Sequence, residues 1–157
     1  MLDPAPACEL PPKLLLQTAW LTPNEVEASV LCGHPAEALS PAQVPQCAED
    51  LLSRGPRNVI IKLGAQGAYL ATREGVRQHI SPYRVRAVDT TAAGDGFNAA
   101  LAVGMLQGKS AVEAATFACA VAALSVTRKG AQPSMPTAQE VDKFLKKAKV
   151  SSAPVPA

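Results

Sequence analysis

The sequence has no long apolar run: stretches such as residues 14–16 and 59–61 are far shorter than the roughly 20 residues that span a bilayer. Its amino terminus lacks a basic stretch followed by an apolar core, so no export signal is predicted. Positive charge is not concentrated either, because the net charge is only +2 and the lysines and arginines are scattered. These absences favour a soluble, cytoplasmic protein and argue against membranes and nucleic acids as partners.

Cysteines with metal-site spacing are also absent. The four cysteines show no Cys-x-x-Cys spacing and share no neighbourhood with His34 or His79. We therefore predict reduced thiols that mostly fill the core, namely Cys8, Cys32, Cys47 and Cys119.

The chain of 157 residues is 48% hydrophobic and 18% charged. This apolar content is sufficient for one hydrophobic core. One domain is expected over residues 1–150, followed by a disordered tail at residues 151–157. Strand and helix patterns alternate, which predicts a layered α/β fold with a largely parallel sheet. The proline-rich start carries no capping or strand signal, so we expect the chain to begin within a fold.

Local patterns predict the strands and the first helices. An apolar strand is expected at residues 14–21, and Asn24 then caps a short helix that Gly33 closes. A capping-box pattern starts the next helix at Ser40, although Pro45 removes one of its backbone bonds. A buried strand follows at residues 58–63, and shorter strands are predicted at residues 68–72, 76–80 and 83–88.

Three further helices are predicted toward the carboxyl end. The first runs from Gly94 to Gln107, and the others open with capping boxes at Ser110 and Thr137. In the last helix the inward residues are Val141, Phe144, Leu145 and Ala148, and the outward ones are Lys143, Lys146 and Lys147.

The most informative segment ends a strand and opens a helix with residues small enough for a ligand to approach the backbone. It reads Asp89-Thr90-Thr91-Ala92-Ala93-Gly94-Asp95. Free amides at a helix amino terminus can hold the negative charge of a phosphoryl group, and a carboxylate beside them can accept a proton from an attacking alcohol. The local pattern is equally compatible with Asp95 being a helix cap.

A family resemblance favours the first interpretation. Together with Val88 and with Phe97-Asn98, this segment is similar to the carboxy-terminal signature of PfkB-type carbohydrate kinases. Residues 126–134 resemble the ribokinase branch of that family, and residues 22–27 resemble its Asn-x-x-Glu motif. Residues 3–7 are similar to the Asn-Pro-Ala-Pro-Ala strand end of the same branch. The likeness covers nearly the whole chain, so it implies a ribokinase-type fold truncated on its amino-terminal side.

The resemblance implies a role for each matching residue. Asp95 would be the catalytic base and a contact to the sugar, with the amides of Ala92, Ala93 and Gly94 as an anion hole. Asn24 would face the phosphates of ATP, and Glu27 would help to hold Mg²⁺ through water. Without the resemblance, Asn24 is a helix cap and Glu27 a solvated acid of the first turn.

The same resemblance implies further ATP contacts and a K⁺ site. The ATP segment is Lys62-Leu63-Gly64-Ala65-Gln66-Gly67, for which a plain hairpin turn is the competing interpretation. Cys119 would lie near the adenine or belong to the core. The K⁺ positions, several acting through carbonyl oxygens, are Asp89, Thr91, Ser125, Arg128, Gly130 and Ser134. Gly96 departs from the family, where Ser or Thr commonly follows the aspartate.

Two functional hypotheses follow. Complete members of the family are about twice this long, and their amino-terminal half supplies the lid and the sugar-binding motif, which this sequence lacks. The chain is therefore expected to act with an amino-terminal half or as a homodimer, phosphorylating a sugar for which ribose is favoured. The alternative is a non-catalytic fragment that binds nucleotide or nothing.

Overall fold

The computed structural model describes residues 1–147. Its helices are α1 (Pro12–Leu16), α2 (Glu25–Leu31), α3 (Val44–Ser53), α4 (Ala93–Leu106), α5 (Ala111–Ser125) and α6 (Ala138–Lys147). Its strands are β1 (Trp20–Leu21), β2 (Asn58–Lys62), β3 (Ala68–Thr72) and β4 (Arg77–Ile80), and 3₁₀ turns span Gly64–Gln66 and Gln132–Ser134. The chain forms two compact units. Unit 1 comprises Met1–Gly64 and Ala68–His79, and unit 2 comprises Ala65–Gly67 and, of the described residues, 80–147.

The sheet has the strand order β1-β2-β3-β4. β1 and β2 are parallel, and Leu2 adds a parallel bridge to Leu21 of β1. β2 and β3 are antiparallel, from Asn58 opposite Thr72 to Lys62 opposite Ala68. The expected parallel pairing therefore lies on the β1 side of β2, and the predicted α/β class is confirmed.

The core of unit 1 lies around β2 and α3. Val59, Ile60 and Ile61 are fully buried, as expected for a β-branched strand covered on both faces. Helix α3 buries the residues that helical spacing places on one side, which are Val44, Cys47, Ala48, Leu51 and Leu52.

The helices of unit 2 begin where their capping patterns predict. The Ser110 hydroxyl accepts the Glu113 amide at 3.3 Å, and the Glu140 carboxylate accepts the Thr137 amide at 2.8 Å. Helix α4 packs closely against α5, because a Cβ on Gly104 would lie 3.0 Å from that of Ala114. In α6, Val141 is buried, Phe144 and Leu145 are half-buried, and the three lysines are exposed. Ala148 and the predicted tail lie outside the described residues.

None of the helices found in residues 1–147 is both long and apolar enough to cross a membrane.

Two predictions in the first part of the chain are wrong, one for a strand and one for the start of a helix. Residues 14–21 do not form one strand, because Pro12–Leu16 is helical and only Trp20–Leu21 pairs in the sheet. Pro12 favours the first turn of a helix, and that turn buries Leu15. The helix expected from Ser40 begins only at Val44, after a turn in which the Ser40 hydroxyl donates to Gln43 Oε1 at 2.7 Å. Pro45 thus falls in the first turn of α3, where a missing N–H breaks no helical bond.

The strand predicted at residues 83–88 is also wrong, since this segment joins no ladder within the part of the chain that the structure describes. Tyr83 is buried and its ring centroid lies 5.3 Å from that of Phe144. At the other end, the amide of Val88 donates to the carbonyl of Val126 at 2.7 Å. Side-chain packing and one loop contact therefore hold the segment in place of strand pairing.

Two of the four cysteines are not reduced thiols. Cys32 and Cys47 form a disulfide, contrary to the prediction. Cys32 ends α2 and Cys47 lies in α3, and the packing of these helices brings the two Cα atoms to 6.1 Å, a distance that a disulfide spans. Cys8 is a free, exposed thiol, and Cys119 is free and buried.

Candidate active site

The predicted site residues of unit 1 gather at one edge of its sheet. The bridge at Leu2, strand β1 and strand β2 are mutually parallel, so the segments that follow them leave the sheet at the same edge. Those segments carry Asp3, Asn24 and Lys62, and Asn24 itself bridges to Lys62. Ligand sites in α/β proteins lie outside the carboxyl ends of parallel strands.

Asn24 and Glu27 form a complete capping box at the start of α2. Asn24 Oδ1 accepts the Glu27 amide at 2.9 Å, and Glu27 Oε2 accepts the Asn24 amide at 2.7 Å. The structure thus realises the predicted capping role of Asn24. Glu27 is buried and belongs to the same capping box, so the alternative of a solvated acid is wrong for this residue. Within residues 1–147, Asn24 Nδ2 and Glu27 Oε1 make no hydrogen bond, so each side chain retains one group for a ligand.

Lys62 is paired with Asp3, a relationship that the sequence did not indicate. The ammonium lies 2.9 and 3.1 Å from the two carboxylate oxygens, and both side chains are largely buried. The sequence indicates Asp3 only through the resemblance of residues 3–7 to a family motif. A separation of 59 residues hides such a pair from any local pattern.

The turn after β2 depends on glycine at both ends. Gly64 has φ +52 in unit 1, a conformation that side chains disfavour. In unit 2, Gly67 has φ +91, and a Cβ there would lie 2.1 Å from the carbonyl oxygen of Ile80. Leu63 is buried, whereas Gly64, Ala65 and Gln66 are exposed, so backbone is accessible in this turn.

In unit 2, α4 starts at a strained residue. Ala92 is the N-cap and lies in the left-handed region with φ 59 and ψ 17. The amide of Ala93 donates to Thr90 at 3.2 Å, whereas the amides of Ala92 and Gly94 donate to no acceptor in residues 1–147. Of the three amides predicted for the anion hole, two are therefore open.

Asp95 lies in the first turn of α4 and is exposed. Ala92 occupies the N-cap position, so Asp95 is not the N-cap residue that the alternative interpretation required. Because the carboxylate is exposed, an attacking alcohol can reach it. It can therefore accept a proton next to the open amides.

The Asp89 side chain connects the loop before α4 to the loop after α5. Its Oδ1 accepts the Thr91 hydroxyl at 2.6 Å and the Thr91 amide at 2.9 Å, and its Oδ2 accepts the Gly130 amide at 2.8 Å. These bonds, with the Thr91 hydroxyl contributing most, lower the pKa of Asp89 from 3.8 to about 2. The structure thereby brings together three of the predicted K⁺ residues around an ionised carboxylate.

The other predicted K⁺ residues lie in the same stretch of unit 2. The hydroxyl of Ser125 donates to Ala122 at 2.9 Å, and that of Ser134 donates to Ala131 at 2.6 Å. Both serines are 1% exposed. The hydroxyl protons are thus committed to backbone carbonyls, and each hydroxyl oxygen keeps lone pairs.

Arg128 is anchored by Glu140, which the sequence did not single out. Its guanidinium lies 2.6 Å from Glu140 Oε1. This contact, followed by the Thr137 bonds, lowers the pKa of Glu140 to about 2. The Arg128 side chain therefore points to α6, and a ligand role for this residue would fall to its carbonyl. Residues 1–147 contain no cluster of three His, Cys, Asp or Glu side chains that could hold a metal.

Two further residues considered from the sequence, Cys119 and Gly96, lie in tight surroundings. Cys119 is 6% exposed in α5, and burial raises the pKa of its thiol to about 12. Gly96 has no room for a larger residue without adjustment, since a Cβ would lie 3.1 Å from Met135 Sδ. The absence of the usual Ser or Thr after the aspartate thus coincides with a methionine packed against that position.

Comparison with known proteins decides the family. Residues 1–138 match the model described as "pfkB family carbohydrate kinase". The chain belongs to the pfkB family of carbohydrate kinases. Within this family it is 43% identical to the ribokinase of Haemophilus influenzae over 148 residues, which is 94% of this chain and 47% of that protein.

Solved structures of pfkB-family kinases confirm the ribokinase-type fold. The crystal structure of Thermotoga maritima ribokinase superposes with a TM-score of 0.83 at 44% identity, covering 92% of this chain and 48% of that one. Arabidopsis thaliana ribokinase, complexed with ribose and ATP, gives a TM-score of 0.81 at 41% identity, covering 92% and 46%. The chain thus spans about half the length of the relatives that it matches.

Proposed function

We propose that the chain takes part in transferring the γ-phosphate of ATP to a sugar hydroxyl, with D-ribose converted to D-ribose 5-phosphate as the favoured reaction. The observation that carries the proposal is the exposed Asp95 in the first turn of α4, next to the open amides of Ala92 and Gly94. A helix amino terminus with free amides favours a transferring phosphoryl group.

In the proposed reaction, the sugar hydroxyl oxygen forms a bond to the γ-phosphorus while the bond from that phosphorus to the β-γ bridging oxygen breaks. Asp95 accepts the hydroxyl proton, and ADP leaves with the bridging oxygen. The amides of Ala92 and Gly94 stabilise the charge on the phosphoryl oxygens. Ala93 contributes less, because its amide already donates to Thr90.

The residues of unit 1 suit the nucleotide end of the reaction. Asn24 Nδ2 can donate to a phosphate, and Lys62 adds a positive charge that Asp3 holds in position. Glu27 fits a water-mediated Mg²⁺ site, since Oε1 is not used by the capping box and Mg²⁺ retains several waters in proteins. When bound, Mg²⁺ would neutralise phosphate charge. Cys119 and the turn from Leu63 to Gly67 are proposed as further ATP contacts.

The residues around Asp89 fit a monovalent cation. Asp89 is ionised and bonds to both loops, and Ser125 and Ser134 are buried with lone pairs on their hydroxyl oxygens. Carbonyl and hydroxyl oxygens of this kind replace the hydration shell of K⁺. Bound K⁺ would supply positive charge near the anion hole. In this proposal the cation is held by oxygens of six residues, several of them backbone carbonyls: Asp89, Thr91, Ser125, Arg128, Gly130 and Ser134.

Ribose as the acceptor is supported by the similarity to ribokinases, one of which has a solved complex with ribose and ATP. Because the chain spans about half of these relatives, the proposed activity includes an amino-terminal half that supplies the sugar-binding residues. Within this chain, ribose is favoured only because residues 126–134 resemble the ribokinase branch.

The test is an ADP-release assay with ribose, Mg²⁺ and K⁺, first on the isolated chain and then on the chain joined to the amino-terminal half of the Haemophilus influenzae ribokinase. Turnover is expected for the joined protein. If it folds, binds ATP and still releases no ADP above its ribose-free background, the kinase proposal fails and a non-catalytic nucleotide-binding fragment takes its place.

Asp95→Asn in the active protein is expected to lower kcat by roughly 100-fold or more, because a general base contributes about 10²–10⁴-fold to the rate. ATP affinity should change little. Asp142→Asn, which removes an exposed acid of α6, is the matched control and should retain full activity. Full activity of the Asp95 variant would refute the base assignment.

A further inference from the structure

One face of α4 is apolar and exposed. Leu106 is 88% exposed and Val103 is 43% exposed, and Ala99 on the same side is exposed as well. These residues follow Asp95 by 4, 8 and 11 positions, so all four form a single stripe along the helix. We call this stripe the α4 face. At about 1.5 Å per residue it is roughly 16 Å long.

The composition of α4 is typical of a helix that is covered on every side. Asp95 is its only charged residue, and after the first turn its only polar side chain is that of Asn98. A helix that is apolar all round is normally buried. The opposite side of α4 is indeed buried, with Phe97, Leu101 and Gly104 inside unit 2.

The other long helices of unit 2 do not share this exposure. In α6 the outward side consists largely of charged residues, including Lys143, Lys146 and Lys147. In α5 no residue after Glu113 is exposed. An exposed apolar stripe is therefore a specific property of α4, and a large exposed apolar patch marks an interaction surface.

We propose that the α4 face is covered by the amino-terminal half of a pfkB-family kinase. This inference rests on the proposed function. The matched relatives supply the argument for the occupant, because the chain covers 47% of the Haemophilus influenzae ribokinase and 48% of the Thermotoga maritima structure. Each of those proteins has about as many residues again outside the match.

The position of Asp95 links this surface to catalysis. Because Asp95 begins the same stripe that ends at Leu106, a segment packed along the α4 face borders the predicted base. That segment excludes water from one side of the carboxylate and brings the sugar-binding residues next to it. In this proposal the α4 face therefore belongs both to the interface and to the sugar site.

The first experiment measures accessibility. Leu106→Cys is introduced with Cys8→Ser, and its maleimide labelling rate is compared between the isolated chain and the chain joined to the amino-terminal half of the Haemophilus influenzae ribokinase. The buried Cys119 and the disulfide contribute little background. We expect a rate at least about tenfold lower in the joined protein, because a covered thiol reacts only when the interface opens locally. Lys146→Cys on α6 is the control and should label equally in both.

Equal labelling of position 106 in the two proteins overturns the proposal. A joined protein that shows no cooperative unfolding also counts against it, because the two halves then fail to dock.

The second experiment compares two acidic variants at the end of α4. Leu106→Asp should lower the urea midpoint of the joined protein more than that of the isolated chain. Gln107→Asp places the same charge one residue further, about 100° around the helix, and should affect both proteins equally. If both variants behave alike in the joined protein, the α4 face is not the interface.

Three outcomes separate this proposal from the proposed function and from a second copy as the occupant. Neither readout requires ATP or sugar, so a joined protein that is protected at position 106 yet inactive sinks the proposed function alone. If the joined protein is active but position 106 labels as fast as in the isolated chain, only the proposal for the α4 face is wrong. If the isolated chain sediments as a dimer that Leu106→Asp dissociates, a second copy occupies the face and the proposal is wrong.

Discussion

The carboxylate of Asp89 accepts the backbone amide of Gly130 at 2.8 Å, across 41 residues of sequence. The same carboxylate accepts two bonds from Thr91, two positions later. One side chain therefore fixes both the loop before α4 and the loop after α5.

Asp89 should titrate with a pKa of about 2 in the folded chain, compared with 3.8 ordinarily. A lowered folded-state pKa stabilises the protein above the unfolded value, so this contribution is present above about pH 4 and is lost as the pH falls toward 2. Thr91→Val removes the largest cause and should raise the pKa of Asp89, as measured by carboxyl ¹³C NMR. Thr90→Val, at the neighbouring position, should leave that pKa unchanged. An unchanged pKa in the Thr91 variant would show that this hydroxyl does not hold Asp89 ionised.

Ala92→Gly should stabilise the chain. The left-handed conformation costs a side chain about 1–2 kcal/mol, and glycine costs about 0.4–1 kcal/mol through the unfolded state, so we expect a net gain of about 0.5 kcal/mol in the free energy of unfolding. Ala99→Gly, within the same helix but in right-handed conformation, should lose about 1 kcal/mol. Urea denaturation measures both. Equal losses at the two positions would mean that Ala92 is not strained.

Asn24→Asp separates the capping role of Asn24 from its proposed role in ATP binding. Aspartate caps helices as well as asparagine does, so stability should change little. It lacks the Nδ2 donor and adds a negative charge, so ATP affinity should fall by roughly tenfold or more. Ser110→Asp makes the corresponding change at the capping box of α5 and should leave ATP binding intact. Unaltered affinity in the Asn24 variant, measured by calorimetric titration, would leave this residue a helix cap only.

Reduction of the Cys32–Cys47 disulfide should lower the free energy of unfolding by about 3 kcal/mol, the chain-entropy value for a loop of about 15 residues. The measurement is urea denaturation with and without dithiothreitol. Cys47→Ser should reproduce the loss and remove the response to the reductant, whereas Cys8→Ser should retain that response. A reductant effect that persists in the Cys47 variant would assign the stabilisation elsewhere.

Local sequence was sufficient where a short-range interaction decides the structure. The capping boxes at Asn24, Ser110 and Thr137 close within three residues, so their patterns predicted helix starts that the structure confirms. A buried β2 followed from its β-branched run. The family, too, was recognisable from contiguous motifs, with Asp95 among them.

Tertiary structure decided what depends on residues far apart in the chain. Packing of α2 against α3 paired Cys32 with Cys47, and the parallel strands placed Asp3 against Lys62. Neither pair has a local signature, because the spacing between its members is set by the intervening fold. The segment at residues 83–88 has the apolar alternation of a strand but no partner strand among residues 1–147, and a ladder needs both. The sequence by itself thus determined the family and the helix starts at Asn24, Ser110 and Thr137, whereas long-range packing determined which side chains meet.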